Sequence, residues 1–190
     1  MIGHVICEAS DIALADADVA PVEESAQAHS RTTSPKELSR SDLKLLRQRA
    51  KAERRTVVWT NGVFDVLHAG HLAQLRAARA LGDTLVVGVN TDETVRAAKG
   101  EGRPVFPLVE RLEMLAALEV VDFVHAFSEP TPVEAIRVLE PDVHCKGADY
   151  EGKPIPERSL VESYGGRVVL VPLVPHRSTS RTLELLTGKG

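Results

Sequence analysis

Short apolar runs alternate with amphipathic stretches from Thr56 onward. The runs have the length and β-branched content of buried strands: TVVWT, TLVVGVN, DFVHAF, DVHCKG and RVVLVP. They predict strands at residues 56–60, 84–90, 122–127, 142–147 and 167–172. Strands that alternate with helices are typical of βαβ units, in which a parallel sheet is covered by helices.

Helical patterns occupy the intervals between these strands. Ser39 or Ser41 is a suitable N-cap for a helix that carries three leucines and ends near Ala52. Thr91 or Asp92 caps a short helix. Further helices are predicted at residues 70–82, 107–118, 132–140 and 157–164, and from Ser180 onward. The chain is therefore predicted to be an α/β protein with a Rossmann-like, doubly wound parallel sheet of about five strands and helices on both faces. Such sheets bind ligands at the carboxyl ends of their strands.

The first 36 residues differ from the rest in composition and charge. They are rich in Ala, Asp, Ser, Thr and Glu, and they carry six acidic side chains against Arg31 and Lys36. They have no sustained apolar period, which predicts a mobile acidic tail with at most a short helix near residues 11–17. Residues 37–190 are predicted to form a single domain.

Composition excludes several classes of protein. Cys7 and Cys145 form neither a disulfide framework nor a zinc-binding spacing. No apolar run approaches the roughly 20 residues of a membrane span, and the N-terminus lacks the pattern of a signal peptide. Residues 37–190 carry 21 charges of each sign, so we expect no general nucleic-acid surface. These features predict a cytoplasmic protein that binds neither nucleic acid nor a membrane.

The most informative stretch is TNGVFDVLHAGH at residues 60–71. Gly62 permits a sharp turn after the first strand. His68 and His71 lie three residues apart at the start of a helix, so both imidazoles are expected near one face. Gly70 leaves room for a phosphate, and the free N–H groups of the helix favour an anion. Two alternatives are a pair of surface histidines and a zinc site, but no third zinc ligand follows from the spacing.

This stretch resembles the signature of the cytidylyltransferase-like nucleotidyltransferase superfamily. Within it, residues 56–187 are similar to D-glycero-β-D-manno-heptose 1-phosphate adenylyltransferases, notably in KGADY, GGRVVLVPL and RSTS. The resemblance implies transfer of AMP from ATP to the heptose phosphate, with Mg²⁺ bound mainly through ATP phosphates, in a homodimer or higher homo-oligomer. In some bacteria this enzyme is the nucleotidyltransferase half of a bifunctional kinase–transferase, and in others it is a separate chain. The kinase half has no counterpart in this sequence, so the resemblance implies the stand-alone form.

The resemblance also assigns roles to residues. It implies catalytic functions for His68, His71, Lys99 and Arg111. Sugar-phosphate contacts are implied for Asp65, Lys99 and Arg103. No residue is assigned as a metal ligand. The implied nucleotide contacts are Thr60, Asn61, Gly62, Val63, Phe64, His68, Gly70, His71, Asn90, Asp92, Arg111, Lys146, Gly147, Asp149, Arg177, Ser178, Thr179 and Ser180.

Two other functions remain open. A cytidylyltransferase acting on glycerol 3-phosphate or a related phosphorylated alcohol would share the HxGH sequence. A non-catalytic nucleotide-binding module could retain the pocket without turnover, although the presence of both histidines with Lys99 and Arg111 argues against it. Base specificity depends on pocket contacts that the residue pattern alone does not specify.

Overall fold

The computed structural model of the protein describes residues 34–172. The predicted acidic tail, apart from residues 34–36, lies outside the described residues, as do the short helix near residues 11–17 and the helix from Ser180. The sequence Arg177–Ser180 also lies outside them.

A parallel sheet of five strands forms the centre of the described domain. The strands are β1 (Val57–Gly62), β2 (Thr84–Asn90), β3 (Phe123–Phe127), β4 (Val143–Gly147) and β5 (Arg167–Val171). Their order across the sheet is β3-β2-β1-β4-β5, which places the first strand in the middle. The chain thus winds outward in one direction and then in the other, which confirms the predicted doubly wound fold.

Six helices connect or precede these strands within residues 34–172. They are α1 (Arg40–Glu53), α2 (Ala69–Arg79), α3 (Asp92–Lys99), α4 (Leu108–Ala116), α5 (Val133–Leu139) and α6 (Arg158–Ser163). Ser39 caps α1 in a capping box with Asp42. Helix α2 ends three residues earlier than predicted. Strand β1 continues two residues further than predicted, because Asn61 and Gly62 pair with β2.

Apolar side chains form a core on each face of the sheet. On one face, Val58 and Val87 pack with residues of α2 and α4, including Leu75 and Leu115. On the other, Trp59 packs with residues of α1, α5 and α6. Neighbouring residues of a strand point to opposite faces, so β1 supplies Val58 to one core and Trp59 to the other. The central strand is therefore buried on both sides.

The segment before α1 lies against the edge strand β3. The backbone carbonyl of Lys36 accepts from the N–H of Val124, and the N–H of Leu38 donates to the Val124 carbonyl. The Lys36 ammonium also donates to the carbonyls of Leu118 and Val121. Lys36, which the sequence places at the boundary of the tail, is thus bound to the folded domain.

Among residues 34–172, no helix combines the length and the apolar character needed to cross a membrane.

Candidate active site

The carboxyl ends of β1, β2 and β4 bring together most of the predicted site residues. These strands are neighbours in the sheet, and parallel strands have their carboxyl ends at one edge. The loop after β1 leads into α2, Asn90 and Asp92 follow β2, and Lys146 and Gly147 end β4. The residues predicted from sequence within the described domain therefore converge at this edge, where ligands bind in doubly wound folds.

His68 is the N-cap of α2. Its Nδ1 accepts from the backbone N–H groups of Gly70, at 3.1 Å, and His71, at 3.3 Å. A ring nitrogen that accepts two N–H groups carries no proton, so the neutral imidazole has its proton on Nε2. The backbone thus selects the tautomer and leaves Nε2–H as a hydrogen-bond donor.

His71 stacks directly on His68. The ring centroids lie 3.8 Å apart with 20° between the planes, and the Phe64 ring lies 5.5 Å from His71. Burial is the main cause that lowers the pKa of His71 to about 4; protonation of the neighbouring His68 and the charge of Lys99 act in the same direction, and the carboxylate of Asp65 opposes them. His71 is therefore neutral at pH 7, where an imidazole retains one N–H donor.

The loop between β1 and α2 has a constrained backbone. Phe64 and Val66 adopt positive φ angles of 52° and 53°. These values are costly for residues with a Cβ, and especially for a β-branched one. A Cβ on Gly62 would lie 3.3 Å from the Phe64 ring, so glycine allows the ring to approach the end of β1. Strain of this kind is concentrated at functional sites, where surrounding contacts must maintain it.

Arg111 supplies such contacts from inside the domain. Its side chain is fully buried, with Nη1 donating to the carbonyl of Val63 at 2.6 Å and Nε to that of Phe106 at 3.0 Å. Nη2 donates to the Asn90 carbonyl and to the Asp92 carboxylate, at 2.8 and 2.7 Å. The guanidinium therefore joins the loop after β1, the end of β2 and the segment before α4.

Asp65 also binds the segment before α4. Its carboxylate is 1% exposed and accepts from Arg103 Nε at 2.8 Å and from the N–H groups of Val105 and Phe106 at 3.0 Å. Burial would raise its pKa, but these hydrogen bonds and the Arg103 charge outweigh burial and hold it below the usual value. The carboxylate predicted to contact a sugar is thus engaged with the protein.

Lys99 ends α3 next to this anchored segment. Burial lowers its pKa, and the charge of Arg103 lowers it further, while Asp65 opposes the shift. Lys99 is also close enough to His71 to lower the pKa of that imidazole. The lysine and the stacked histidines therefore belong to one electrostatic cluster.

A second group of polar side chains lies at the end of β4. Lys146 Nζ donates to Asn61 Oδ1 at 3.1 Å and lies 4.8 Å from the centre of the Tyr150 ring. Asp149 and Tyr150 form a short 3₁₀ turn that follows Gly147 directly. Asn61 belongs to β1, so the Lys146–Asn61 bond connects the two neighbouring strand ends.

The remaining predicted residues differ in their surroundings. Thr60 is fully buried in β1, and Gly70 is buried in the first turn of α2. Within residues 34–172, no three His, Cys, Asp or Glu side chains are grouped so that they could hold a metal ion.

Two buried polar residues beside Lys146 were not predicted from the sequence. His144 is fully buried and Glu157 is 2% exposed. Alternation along DVHCKG places His144 and Lys146 on the same face of β4, which is a usable signal for His144. Glu157 lies more than ten residues further along the chain and outside any motif. Only the folded structure shows that it is close to His144 and Lys146.

The chain is similar in sequence and fold to several known proteins. The sequence matches the cytidylyltransferase-like family over residues 59–183. The bifunctional protein HldE of Pelobacter propionicus is 48% identical over 159 residues, which are 84% of this chain and 32% of that protein. HldE of Streptomyces coelicolor is 50% identical over 138 residues, 73% of this chain and 30% of that protein. The chain thus spans about a third of the length of these curated relatives.

Two solved structures are also similar. The lipopolysaccharide core biosynthesis protein of Thermoplasma volcanium is 30% identical with a TM-score of 0.52, covering 65% of this chain and 99% of that one. A pantoate-β-alanine ligase of Francisella tularensis has a TM-score of 0.55 at 15% identity, covering 76% and 68% of the two chains, and this likeness concerns the fold alone.

Proposed function

The chain belongs to the cytidylyltransferase-like family and is a nucleotidyltransferase, and on that premise we propose its substrates. We propose that it transfers AMP from ATP to D-glycero-β-D-manno-heptose 1-phosphate, giving ADP-heptose and pyrophosphate. The observation that carries the chemistry is the stacked His68–His71 pair at the start of α2. The choice of heptose is supported by the sequence resemblance at residues 56–187 and by the similarity to a lipopolysaccharide core biosynthesis protein.

In the proposed reaction, a phosphate oxygen of the heptose 1-phosphate attacks the α-phosphorus of ATP. A new P–O bond forms as the bond between the α-phosphorus and the bridging oxygen breaks in line, and pyrophosphate leaves with that oxygen. The attacking oxygen is an anion at pH 7, so it needs no general base. The protein has to position two anionic substrates and stabilise charge on the phosphoryl oxygens.

The two imidazoles suit this task as neutral donors. The acceptor role of His68 Nδ1 makes Nε2–H the donor of its ring, and we propose that this N–H contacts an α-phosphate oxygen. The low pKa of His71, about 4, keeps it neutral as well, so the stacked rings do not repel each other as two cations would. Donors fixed by backbone contacts need little reorganisation as charge develops on the phosphate.

Lys99 and Arg103, at the end of α3 and in the segment that follows it, are proposed to contact the phosphates. Asp65 anchors this segment through Arg103, Val105 and Phe106, which favours a positioning role; a sugar contact by Asp65 stays a prediction. Phosphate contact by Arg111 stays a prediction. Its four bonds to protein acceptors favour a role in supporting the loop.

A magnesium ion would suit this site if it arrived with ATP. Two carboxylates of this site, Asp65 and Asp92, already form ion pairs with Arg103 and Arg111. The ion would therefore take most of its ligands from ATP phosphates and water, as Mg²⁺ commonly does. When bound, it would neutralise charge on the triphosphate.

Three further expectations accompany this proposal. We propose that the enzyme acts in the cytoplasm, where ATP is available, and that it forms a homodimer or higher homo-oligomer. The stand-alone form also stays a prediction. The nucleotide is proposed to bind along the ends of β1, β2 and β4, with residues 177–180 near the β- and γ-phosphates.

Two ATP analogues test which bond breaks. The purified protein is incubated with heptose 1-phosphate and either ATP, β,γ-methylene ATP or α,β-methylene ATP, and products are identified by mass spectrometry. We expect ADP-heptose from the first two, since their α–β bridging oxygen is intact, and none from the third. Formation of ADP or inorganic phosphate without ADP-heptose would contradict the proposal.

A further inference from the structure

A buried charged cluster lies behind the carboxyl edge of β4. Glu157, which immediately precedes α6, is 2% exposed, and Lys146 is 5% exposed. Glu157 Oε1 lies 4.0 Å from Lys146 Nζ, and Oε2 lies 4.0 Å from His144 Nε2. Among the described residues, Oε2 has no hydrogen-bond partner. A carboxylate in such surroundings is costly unless an opposite charge compensates it.

Lys146 provides that compensation, and His144 does not. Burial, with a smaller contribution from the Lys146 charge, lowers the pKa of His144 to about 3, so His144 is neutral at pH 7. Burial also lowers the pKa of Lys146, but the Glu157 carboxylate gives the largest opposing effect. The ion pair at this position is therefore between Glu157 and Lys146.

The ammonium in turn determines the orientation of Asn61. Lys146 Nζ has only donors, so the Asn61 side chain must present its Oδ1 to it, at 3.1 Å. The Asn61 Nδ2–H₂ group is then left to donate elsewhere. The charge on Lys146 thus determines which end of the Asn61 amide is available at the end of β1.

On the basis of the proposed function, we propose that Glu157 is a positioning residue of the nucleotide pocket. It keeps Lys146 as an ammonium held against Asn61, so that this corner of the pocket offers hydrogen-bond donors to acceptor atoms of the nucleotide. Glu157 does so from behind β4, without touching the nucleotide.

Other titratable groups surround the ammonium. On its own strand these are His144 and Cys145, and on the neighbouring segments they are Asp149, Tyr150 and Glu157. Asp149 is the one other carboxylate that raises the pKa of Lys146. It remains in place when Glu157 is replaced, so the effect of Glu157 can be measured separately.

Glu157→Gln tests the proposal because it removes the charge and keeps the shape of the side chain. Glu162→Gln is the matched control, since Glu162 lies exposed on α6 in an ion pair with Arg158. The titration of Lys146 is followed by NMR of lysines labelled with ¹³C at Cε, with the signal assigned by its loss in Lys146→Gln. Glu157→Gln should lower the titration midpoint by about one pH unit or more, and the control should leave it unchanged. An unchanged midpoint in Glu157→Gln would overturn the proposal.

Turnover measurements provide a second readout. In Glu157→Gln, the KM for ATP should rise about 10-fold at pH 9 and less at pH 7, with a smaller change in kcat, and Glu157→Asp should restore part of the loss. The double variant Lys146→Gln/Glu157→Gln should have the same KM as Lys146→Gln alone, because Glu157 acts through Lys146. A further rise in the double variant would overturn the proposal.

If Glu157→Gln alone does not fold, the KM values of Lys146→Gln and the double variant still show whether Glu157 acts through Lys146. The double variant leaves no unpaired buried charge in the cluster. A wild-type protein that fails to use ATP and heptose 1-phosphate would contradict the proposed function. The NMR titration would still decide the role of Glu157, because it needs no substrate.

Discussion

The two imidazoles at the start of α2 differ in their contacts. His68 Nδ1 caps the helix, whereas His71 packs between His68 and Phe64. A substitution at residue 68 can therefore remove a helix cap, a phosphate donor, or both. This separation makes it possible to distinguish a structural from a catalytic role.

His68→Asn should retain the cap and lose the imidazole donor, because asparagine is a good N-cap residue. His68→Ala should lose both. We expect kcat to fall at least about 10²-fold in each variant, the size typical of removing one transition-state donor. The unfolding free energy should fall by about 1 kcal/mol only in the alanine variant. His71→Ala should also lose at least about 10²-fold in kcat.

Steady-state kinetics and thermal unfolding of the three variants check this prediction. The KM for ATP should change far less than kcat, because several groups share the ground-state phosphate contacts. A near-normal kcat in His68→Asn or His71→Ala would show that the imidazoles do not act on the phosphate.

His144 predicts a pH dependence of stability. Its pKa is about 3 in the folded protein and near 6.5 when unfolded, so the unfolded chain takes up a proton that the folded one excludes. Above pH 6.5 this difference costs the folded protein no stability. As the pH falls from 6.5 toward 3, the free energy of unfolding decreases. Between pH 6 and 4.5, His144→Leu should therefore lose less stability than the wild type, by about 1.4 kcal/mol per pH unit.

Urea unfolding at several pH values measures this difference. His71 has a lowered pKa as well, about 4, so both proteins should still lose stability on acidification. Equal slopes in the wild type and His144→Leu would mean that the buried imidazole is already protonated in the folded state.

Among the strands, β2 depends on a glycine that faces the Trp59 ring of β1. A Cβ on Gly88 would lie 2.3 Å from Trp59 Cζ2 and 2.6 Å from Cη2. The tryptophan is fully buried in the second core, so it has little freedom to move. The Trp59 ring thus occupies the space that a side chain at residue 88 would need.

Gly88→Ala should lower the unfolding free energy by about 1–3 kcal/mol through this overpacking. In a thermal melt this corresponds to a decrease of about 2–12 °C in Tm. Combining it with Trp59→Leu provides the control: the alanine should cost much less in a Trp59→Leu background than in the wild type. Equal costs in both backgrounds would show that the tryptophan does not restrict residue 88.

At the level of elements, the sequence predicted the order of strands and helices well. Buried parallel strands such as TLVVGVN are apolar throughout, and the helices between them repeat with a different period. The predicted ends of the strands were less accurate, because the end of a strand depends on which neighbouring strand it pairs with. Asn61 and Gly62 extend β1 only because β2 lies beside them.

The candidate site was predictable where it consists of a local motif. HxGH follows the end of β1 after a short loop, so the motif and the strand can be read together as a signal of phosphate chemistry. The engagement of Asp65 with Arg103, Val105 and Phe106 connects residues about 40 positions apart. No pattern within a single segment encodes such contacts. The same holds for the burial of Arg111 and for Glu157 beside Lys146.

At the scale of the whole molecule, the acidic segment before the domain is predicted to contribute neither to stability nor to turnover. A protein that begins at Thr33 keeps Lys36 and its contacts with Leu118 and Val121. Its Tm and specific activity should equal those of the full chain. A decrease of more than about 4 °C, roughly 1–2 kcal/mol, would show that residues 1–32 stabilise the domain.

The most direct test of the proposed function compares two substrate pairs. The kcat/KM values are measured by pyrophosphate release for ATP with heptose 1-phosphate and for CTP with glycerol 3-phosphate. A polar pocket built for one base leaves donors or acceptors unpaired when the other binds, at about 1–3 kcal/mol each. We therefore predict that the ATP–heptose pair is preferred by at least about 10²-fold. Faster turnover of CTP with glycerol 3-phosphate would contradict the proposed substrates and leave the family assignment intact.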